Sequence, residues 1–242
     1  MAWRKKVDGL VAQLLDAVLP PRCLLCRAPA TQVRGLCSAC HADMPRNLCC
    51  CGRCALPLEH PADECGACLR QAPPFAGAWA PFRYAHPLDL LEARFKFRRD
   101  LAVGRVLSEL MIEAAGTNLT VALPERLYCV PLHPDRLRER GYNQALELAK
   151  PLAQALGLPL DSTSLIRLRS TRAQTGLDAK QRRRNLHGAF AMMADARPPE
   201  HVAILDDVMT TGTTLRECAK VLRRAGAVRV DVWALARAPA RS

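Results

Sequence analysis

Apolar positions along this chain switch between short continuous runs and a spacing of three to four residues, and each switch predicts an element. Residues 202–205 (VAIL) form a partly β-branched apolar run, which reads as a buried strand of a parallel sheet. Residues 127–131, closed by proline, and 228–235 read as further strands, with 164–168 and 189–192 as shorter extended pieces. Helical spacing covers 87–96, 101–115 with Gly116 as its stop, 143–156 before Gly157, and 213–225 before Gly226. Residues 79–84 read as an extended edge segment, because Pro81 cannot donate to a ladder. Alternating strands and helices predict an α/β fold: a mainly parallel sheet flanked by helices and joined by right-handed crossovers.

The first 20 residues follow a different pattern. Leu10, Val11, Leu14, Leu15, Val18 and Leu19 are interrupted by Asp8, Gln13 and Asp16, and Arg4, Lys5 and Lys6 precede them. That spacing predicts an amphipathic helix packed on the body, with a membrane-surface anchor as the rival. A signal peptide needs an unbroken apolar stretch, which is missing here. No run is long and apolar enough to span a bilayer. The expected location is cytoplasmic.

Between residues 23 and 68 large apolar side chains are scarce and cysteines are dense: ten of the chain's twelve lie there. Eight form two copies of Cys-x2-Cys-x10-Cys-x2-Cys, offset by 28 residues: Cys23, Cys26, Cys37, Cys40, then Cys51, Cys54, Cys65, Cys68. Four thiolates at this spacing suit tetrahedral zinc, which supplies folding energy to a segment too small for a core. Two structural zinc ions are therefore expected. Disulfides would need an oxidising compartment, which nothing in the chain indicates; an iron–sulfur cluster is the other ligand a set of four cysteines can hold. Cys49 and Cys50 sit beside Cys51, so the repeat alone selects Cys51, and ligand pairing between the halves stays open. His41 and His60 read as loop residues, Cys129 and Cys218 as small buried apolar ones.

At 242 residues, half of them hydrophobic, the chain has room for one full α/β domain and a smaller module. The boundaries read as 1–20 for the helix, 21–70 for the cysteine module and 78–239 for the α/β domain. A net charge of +12 points to polyanionic partners. Residues 133–184 hold eleven Lys/Arg against five Asp/Glu, a net of +6, in runs that otherwise read as loops.

The chemistry is most concentrated at residues 202–215, VAILDDVMTTGTTL. Asp206 and Asp207 sit at the end of the strand, where open α/β sheets bind ligands. Thr210, Thr211, Gly212, Thr213 and Thr214 bring hydroxyls and backbone N–H groups to a helix N-terminus, a cradle for phosphate. Carboxylates that hold sugar hydroxyls beside a turn that holds phosphate suit a ribose 5-phosphate. The plainer reading is a strand–loop–helix with Asp-rich turn chemistry.

This segment resembles the 5-phosphoribosyl 1-diphosphate (PRPP) motif of type I phosphoribosyltransferases. The resemblance implies that Asp206 and Asp207 grip the ribose hydroxyls, that residues 210–214 hold the 5-phosphate, and that Mg2+ bridges diphosphate and ribose oxygens. Arg136, Arg138 and Arg140 then fall where a diphosphate loop would sit, with forks matched to phosphate oxygens. Residues 171–187, with Arg182, fall where the family's flexible lid would close over the site. Lys96 either reaches the anionic ligand or is a solvated helix lysine.

From Cys23 to Arg237 the chain resembles the ComF family, which includes the ComFC and GntX proteins. The carriers are the cysteine knuckles, Phe95-Lys96-Phe97, the run from Arg136 to Gln144, Gln174 with Arg182 and Asn185, and VAILDDVMTTGTTL. Phe95 departs from the more usual aliphatic residue, and Cys49 and Cys50 blur the knuckle assignment. The resemblance implies a double zinc ribbon joined to a phosphoribosyltransferase domain, with a role in competence and DNA uptake. Two functions follow as expectations. One is PRPP binding with phosphoribosyl transfer to an acceptor that the sequence does not name, and no residue stands out as its general base. The other is non-catalytic binding of single-stranded DNA through basic loops and zinc ribbons, alongside DNA-uptake proteins. With 5% aromatic residues, stacking platforms are sparse, so phosphate contacts and a steep salt dependence would mark the second.

Overall fold

The two longest apolar runs of the C-terminal half lie side by side as the central strands of a parallel sheet. The computed structural model describes residues 22–30, 35–60, 62–119, 122–169, 186 and 188–240. In chain order its elements are α1 (Ser38–Ala42), α2 (Gly66–Arg70), β1 (Gly77–Trp79), β2 (Phe82–Arg83), α3 (Leu88–Arg98) and α4 (Leu101–Asn118). These are followed by β3 (Arg126–Cys129), α5 (Pro134–Arg140), α6 (Gln144–Leu156), β4 (Leu160–Asp161) and β5 (Leu165–Arg167). The last are β6 (Phe190–Met192), β7 (His201–Met209), α7 (Thr213–Arg224) and β8 (Arg229–Arg237). The described residues up to Met44 and those from Pro45 onward form two compact units. The first holds α1 and the first cysteine set; the second holds everything else, including the second set.

The main sheet has the order β1-β8-β7-β3-β4, with β2 also on β8, and all its pairings are parallel. Val202 to Leu205 and Val230 to Ala236 are buried, as expected of strands covered on both faces. β1 and β2 continue one edge on either side of Pro81, and Trp79 meets Trp233 edge-on with ring centroids 5.6 Å apart. The helices lay apolar stripes on this core: Ala145, Leu148, Ala149 and Leu152 from α6, and Leu215, Cys218, Ala219 and Leu222 from α7. Asp100 caps α4 through Val103 N–H, and Asn143 caps α6 through Ala145 N–H. No helix among the described residues is long and apolar enough to cross a membrane.

Several elements differ from the sequence expectation. Helix α4 continues past Gly116 to Asn118, because Met111, Ala114 and Ala115 remain buried in the turns before it. The basic run after β3 is a helix, α5, rather than a loop. It buries no residue and is held by its ends and charges: His133 as N-cap, Pro134 in the first turn, and left-handed Gly141 (φ +86) as terminator. Its charges pair at i,i+3, Arg138 with Asp135 and Arg136 with Glu139. The short strands β5 and β6 pair antiparallel in a separate two-stranded sheet. Residues 1–20, expected as a helix, and all but Leu186 of the expected lid 171–187 (Gly188 and onward being described), Arg182 included, lie outside the described residues.

Strand β7 also runs on to Met209, so Asp206 and Asp207 lie within it and not after its end. The cause is uneven neighbours. β8 pairs with β7 as far as Met209↔Arg237, whereas β3 stops at Cys129↔Leu205. On the β3 side, the carboxylates are the first residues past the edge.

Candidate functional site

The acid pair is built into β7 and neutralised from α3. Lys96 Nζ lies 2.9 Å from Asp207 Oδ2 and 3.2 Å from Glu92 Oε1, and Glu92 is buried. Asp207 Oδ1 accepts from Val208 N–H at 2.7 Å, and Asp206 Oδ1 accepts from Asp207 N–H at 2.9 Å. Burial pushes Asp207 up, but the ammonium of Lys96 outweighs it and holds this carboxyl below its usual range. Burial, and then the neighbouring Asp207 charge, push Asp206 well above its usual range. Burial likewise raises Glu92. At neutral pH the site therefore carries one firm ion pair, Lys96 with Asp207, beside two carboxyls that hold protons more readily than usual. Lys96 is not a solvated helix lysine. Tyr142 packs its ring on Phe95, centroids 5.3 Å apart, and donates its hydroxyl to the Phe95 carbonyl, which fixes the end of α3 next to Lys96.

The Thr/Gly segment forms the turn between β7 and α7. Gly212 is the N-cap of α7 in a left-handed conformation (φ +70) and has no side chain to cap the helix, while Thr211 Oγ1 accepts a long 3.4 Å bond from the first helical N–H, that of Thr213. A Cβ at Gly212 would lie 2.6 Å from Met209 Cε. Thr211 Oγ1 lies 2.8 Å from Thr213 Oγ1, joining the hydroxyls across the turn. Apart from the Thr213 N–H, which reaches Thr211 Oγ1, the first turn of α7 presents its N–H groups and positive dipole character at an end with no N-cap side chain, as anion sites require. Gly212→Ala is expected to cost about 1–2 kcal/mol for the left-handed backbone alone, plus displacement of the Met209 methyl. A drop in the thermal midpoint of the purified variant checks this.

The three arginines expected at a diphosphate all lie on α5 and are engaged locally. Arg138 pairs with Asp135, Arg136 with Glu139 at 3.4 Å, and Arg140 donates to Gln144 Oε1 at 2.7 Å. The structure thus brings Lys96 together with Asp207 but leaves these guanidinium groups on nearby partners, two on α5 and one, Gln144, at the start of α6. Sequence reading missed three side chains here. Glu92 was signalled by its i,i+4 spacing to Lys96. Arg167 on β5 lies over the Phe190 ring at 5.4 Å and feels the charge of Asp206; nothing in its short strand marks it. Arg237, the last residue of β8, is buried and donates to the Met209 and Thr210 carbonyls behind the turn.

The cysteines form two tetrads, Cys23/Cys26/Cys37/Cys40 and Cys51/Cys54/Cys65/Cys68, whose sulfurs lie within 4.8 Å of one another in each set. The closest pairs, Cys26–Cys37 at 3.6 Å and Cys54–Cys65 at 3.7 Å, are too far apart for disulfides. They match the roughly 3.8 Å edge of a tetrahedron with Zn–S bonds of about 2.3 Å. The duplication holds in three dimensions. Cys23 N–H donates to Ala28 and Cys51 N–H to Leu56; Arg27 N–H donates to Cys23 and Ala55 N–H to Cys51. Arg27 and Ala55 both have positive φ (68 and 53), and α1 and α2 begin one residue after Cys37 and Cys65. This register places Cys51 in the second tetrad and leaves Cys49 and Cys50 outside it. Within this tetrad the thiol shifts diverge. Burial raises Cys65, but amide donors from Cys68 and Ala67 and the Cys54 thiol outweigh it and bring it down to about 7, whereas burial pushes Cys54 up to about 11 and Cys68 higher still.

Comparison with known proteins agrees with both halves of the chain. Residues 14–69 match the double zinc ribbon domain and residues 143–242 the phosphoribosyl transferase domain. Over 223 residues the chain is 38% identical to the DNA utilization protein YhgH of Salmonella typhimurium, covering 90% of this chain and 98% of that one. It is 38% identical, also over 223 residues, to competence protein F of Haemophilus influenzae, covering 90% and 97% of the two chains. Among solved structures, the glutamine PRPP amidotransferase from B. subtilis aligns at 21% identity over 53% of this chain and 25% of that one. The TM-score of 0.35 is too low to bear on the site.

Proposed function

Because this chain belongs to the ComF family, with its double zinc ribbon and phosphoribosyltransferase-like domain, we propose that it binds PRPP at the mouth of β7 and α7. The observation that carries this reading is the Asp206–Asp207 pair, paired on one side with Lys96 and joined by a Gly212 turn to a helix N-terminus whose N-cap residue has no side chain. Carboxylate oxygens accept from ribose hydroxyls, and the N–H groups of residues 210–214 donate to the 5-phosphate. Lys96 keeps Asp207 ionised, so that its oxygens remain acceptors. Arg136, Arg138 and Arg140 reach diphosphate by exchanging their present partners Glu139, Asp135 and Gln144. The oxygen-rich donor set suits Mg2+ accompanying the ligand's diphosphate and ribose oxygens. The chemistry open to this complex is displacement of diphosphate from the ribose by an acceptor nucleophile. On this reading residues 21–70 form the zinc ribbon module and 78–239 the transferase-like domain. The protein then works in the cytoplasm.

Calorimetric titration with PRPP and Mg2+ tests it. The Asp206→Asn/Asp207→Asn variant is expected to bind at least about tenfold more weakly, the effect of losing the charged acceptor Asp207, worth roughly 1.5 kcal/mol. Unchanged affinity removes the reading.

A second reading, binding of single-stranded DNA, is favoured by the net charge of +12 and by Arg138, whose side chain is 76% exposed. Relatives named for competence and DNA utilization support it. DNA affinity is then expected to fall steeply with salt, and affinity indifferent to salt counts against it. The two readings are compatible in one protein.

A further inference from the structure

The guanidinium of Arg237 joins two places that the sequence keeps far apart. Its Nε donates to the carbonyl of Cys54, a member of the second tetrad, at 3.1 Å. Its Nη1 donates to the carbonyls of Met209 at 3.0 Å, Thr210, and Ala238 at 2.8 Å. The group is 7% exposed, so these bonds are made out of water. On the tetrad side the neighbouring Ala55 is gripped as well: its carbonyl accepts from Asn47 Nδ2 at 2.9 Å, and the same amide reaches Ala80 at 3.1 Å, beside β1.

We propose that Arg237 is a positioning residue that fixes the phosphate-facing turn to the second cysteine knuckle, so that metal loading of that knuckle and the order of the turn are coupled. The argument begins with the planar trans peptide, in which the N–H of one residue points opposite to the carbonyl of the residue before. Drawing the Met209 and Thr210 carbonyls toward Arg237 therefore turns the Thr210 and Thr211 N–H groups away from it, toward the open side of the turn. Past Met209 the turn has left the sheet, since the β7–β8 register ends at Met209↔Arg237. Its backbone is then held by this guanidinium on the Met209 and Thr210 carbonyls, by the Ala238 N–H on the same Met209 carbonyl, by the Thr213 N–H on Thr211 Oγ1, and by the Arg216 N–H on the Gly212 carbonyl. Of these, only the guanidinium reaches the knuckle.

At the other end, four thiolates around one Zn2+ carry a net charge of −2, and buried Arg237 lies close enough to feel the charges of Cys54, Cys65 and Cys68. The cation thus balances a metal-loaded knuckle, and the loaded knuckle in turn fixes the Cys54 carbonyl that orients the guanidinium. Lysine cannot substitute, because one ammonium lacks the rigid fork that reaches both ends at once. Coupling of this kind is reciprocal, so a ligand that orders the turn also slows metal loss from the knuckle. That last consequence rests on the PRPP reading above; the link between knuckle and turn does not.

Amide hydrogen exchange of the zinc-loaded full chain tests the link without any ligand. Cys65→Ser, which opens the second tetrad, and Arg237→Lys, checked for unchanged zinc content, are compared with the wild type. Exchange at residues 209–214 is expected to rise at least about fivefold in both, the lower range of site-to-site coupling, while residues 202–205 within β7 keep wild-type protection. Wild-type exchange at 209–214 in Arg237→Lys overturns the proposal, and that variant decides alone if Cys65→Ser fails to fold. Calorimetry with PRPP and Mg2+ is run in parallel. If the wild type gives no binding heat, the PRPP reading fails while the exchange result still judges Arg237. If it binds, Arg237→Lys is expected to weaken it at least about fivefold, and equal affinity overturns the positioning role.

Discussion

Lys96→Met is expected to cost the fold about 2–3 kcal/mol at pH 7, somewhat below the roughly 3–5 kcal/mol for removing one partner of a fully buried ion pair, because the Lys96 side chain is 26% exposed. Among the described residues no second cation pairs with Asp207: its carboxylate otherwise accepts from the Val208 N–H, and Glu92 nearby is buried and acidic. A loss of this size is a large fraction of the 5–15 kcal/mol that stabilises a typical domain, so the urea midpoint should fall steeply. The pH dependence has a definite sign. In the wild type Asp207 is depressed, so its contribution is present above the unfolded carboxyl value of about 4 and is lost as pH falls through its lower folded value. Glu92 is raised, so its burial weighs against the fold above its folded value and is relieved as pH falls through it. Without Lys96, burial raises Asp207 too, and both carboxyls take up protons on acidification. The gap between variant and wild type should therefore narrow from pH 7 toward about pH 4. A gap that stays constant or widens would show that Lys96 does not neutralise the pair.

Chelation of zinc is expected to have the second large effect, unfolding the cysteine region. Structural zinc supplies an apparent 10–16 kcal/mol to small zinc-finger folds, and α1 buries no residue, while Cys68 is the one buried residue of α2. Among the described residues between 22 and 70, Leu36, Met44 and Ala55 are the buried apolar side chains besides the cysteines, too few to replace what the metal provides. Elemental analysis should find about two zinc ions per chain, and limited proteolysis after chelation should cut first between residues 22 and 70. One ion or none per chain would show that the repeat is not a repeat of sites.

The features legible in the sequence were those written in local pattern. The two knuckles were visible because ligand spacing is set by a tight turn, and that turn recurs with the same hydrogen bonds 28 residues on. Strand β7 and helix α7 were visible because an apolar run, an acid pair and a Gly-containing turn follow one another without interruption. Helix α5 was missed because it has no apolar stripe; its signals were Pro134 in the first turn, Gly141 after the last, and charges spaced at i,i+3. The end of β7 was misjudged because the strand is prolonged by β8, a neighbour its own sequence does not mention. Arg237 could not be read at all. Its partners Cys54, Met209 and Thr210 meet it only after the sheet has formed, and an arginine at a strand end carries no mark of the carbonyls waiting for it.

Arg27 and Ala55 show what copying a loop carries with it. Each follows the second cysteine of its knuckle, and each bends into a region of backbone space that non-glycine residues avoid. When the loop was doubled, an awkward corner was inherited twice, and neither copy has since been eased by glycine. A corner kept under such tension stays bent only while something grips both its arms. Each knuckle should therefore open abruptly when its ion leaves and not slacken by degrees, which would make this part of the chain a sharp reporter of metal supply.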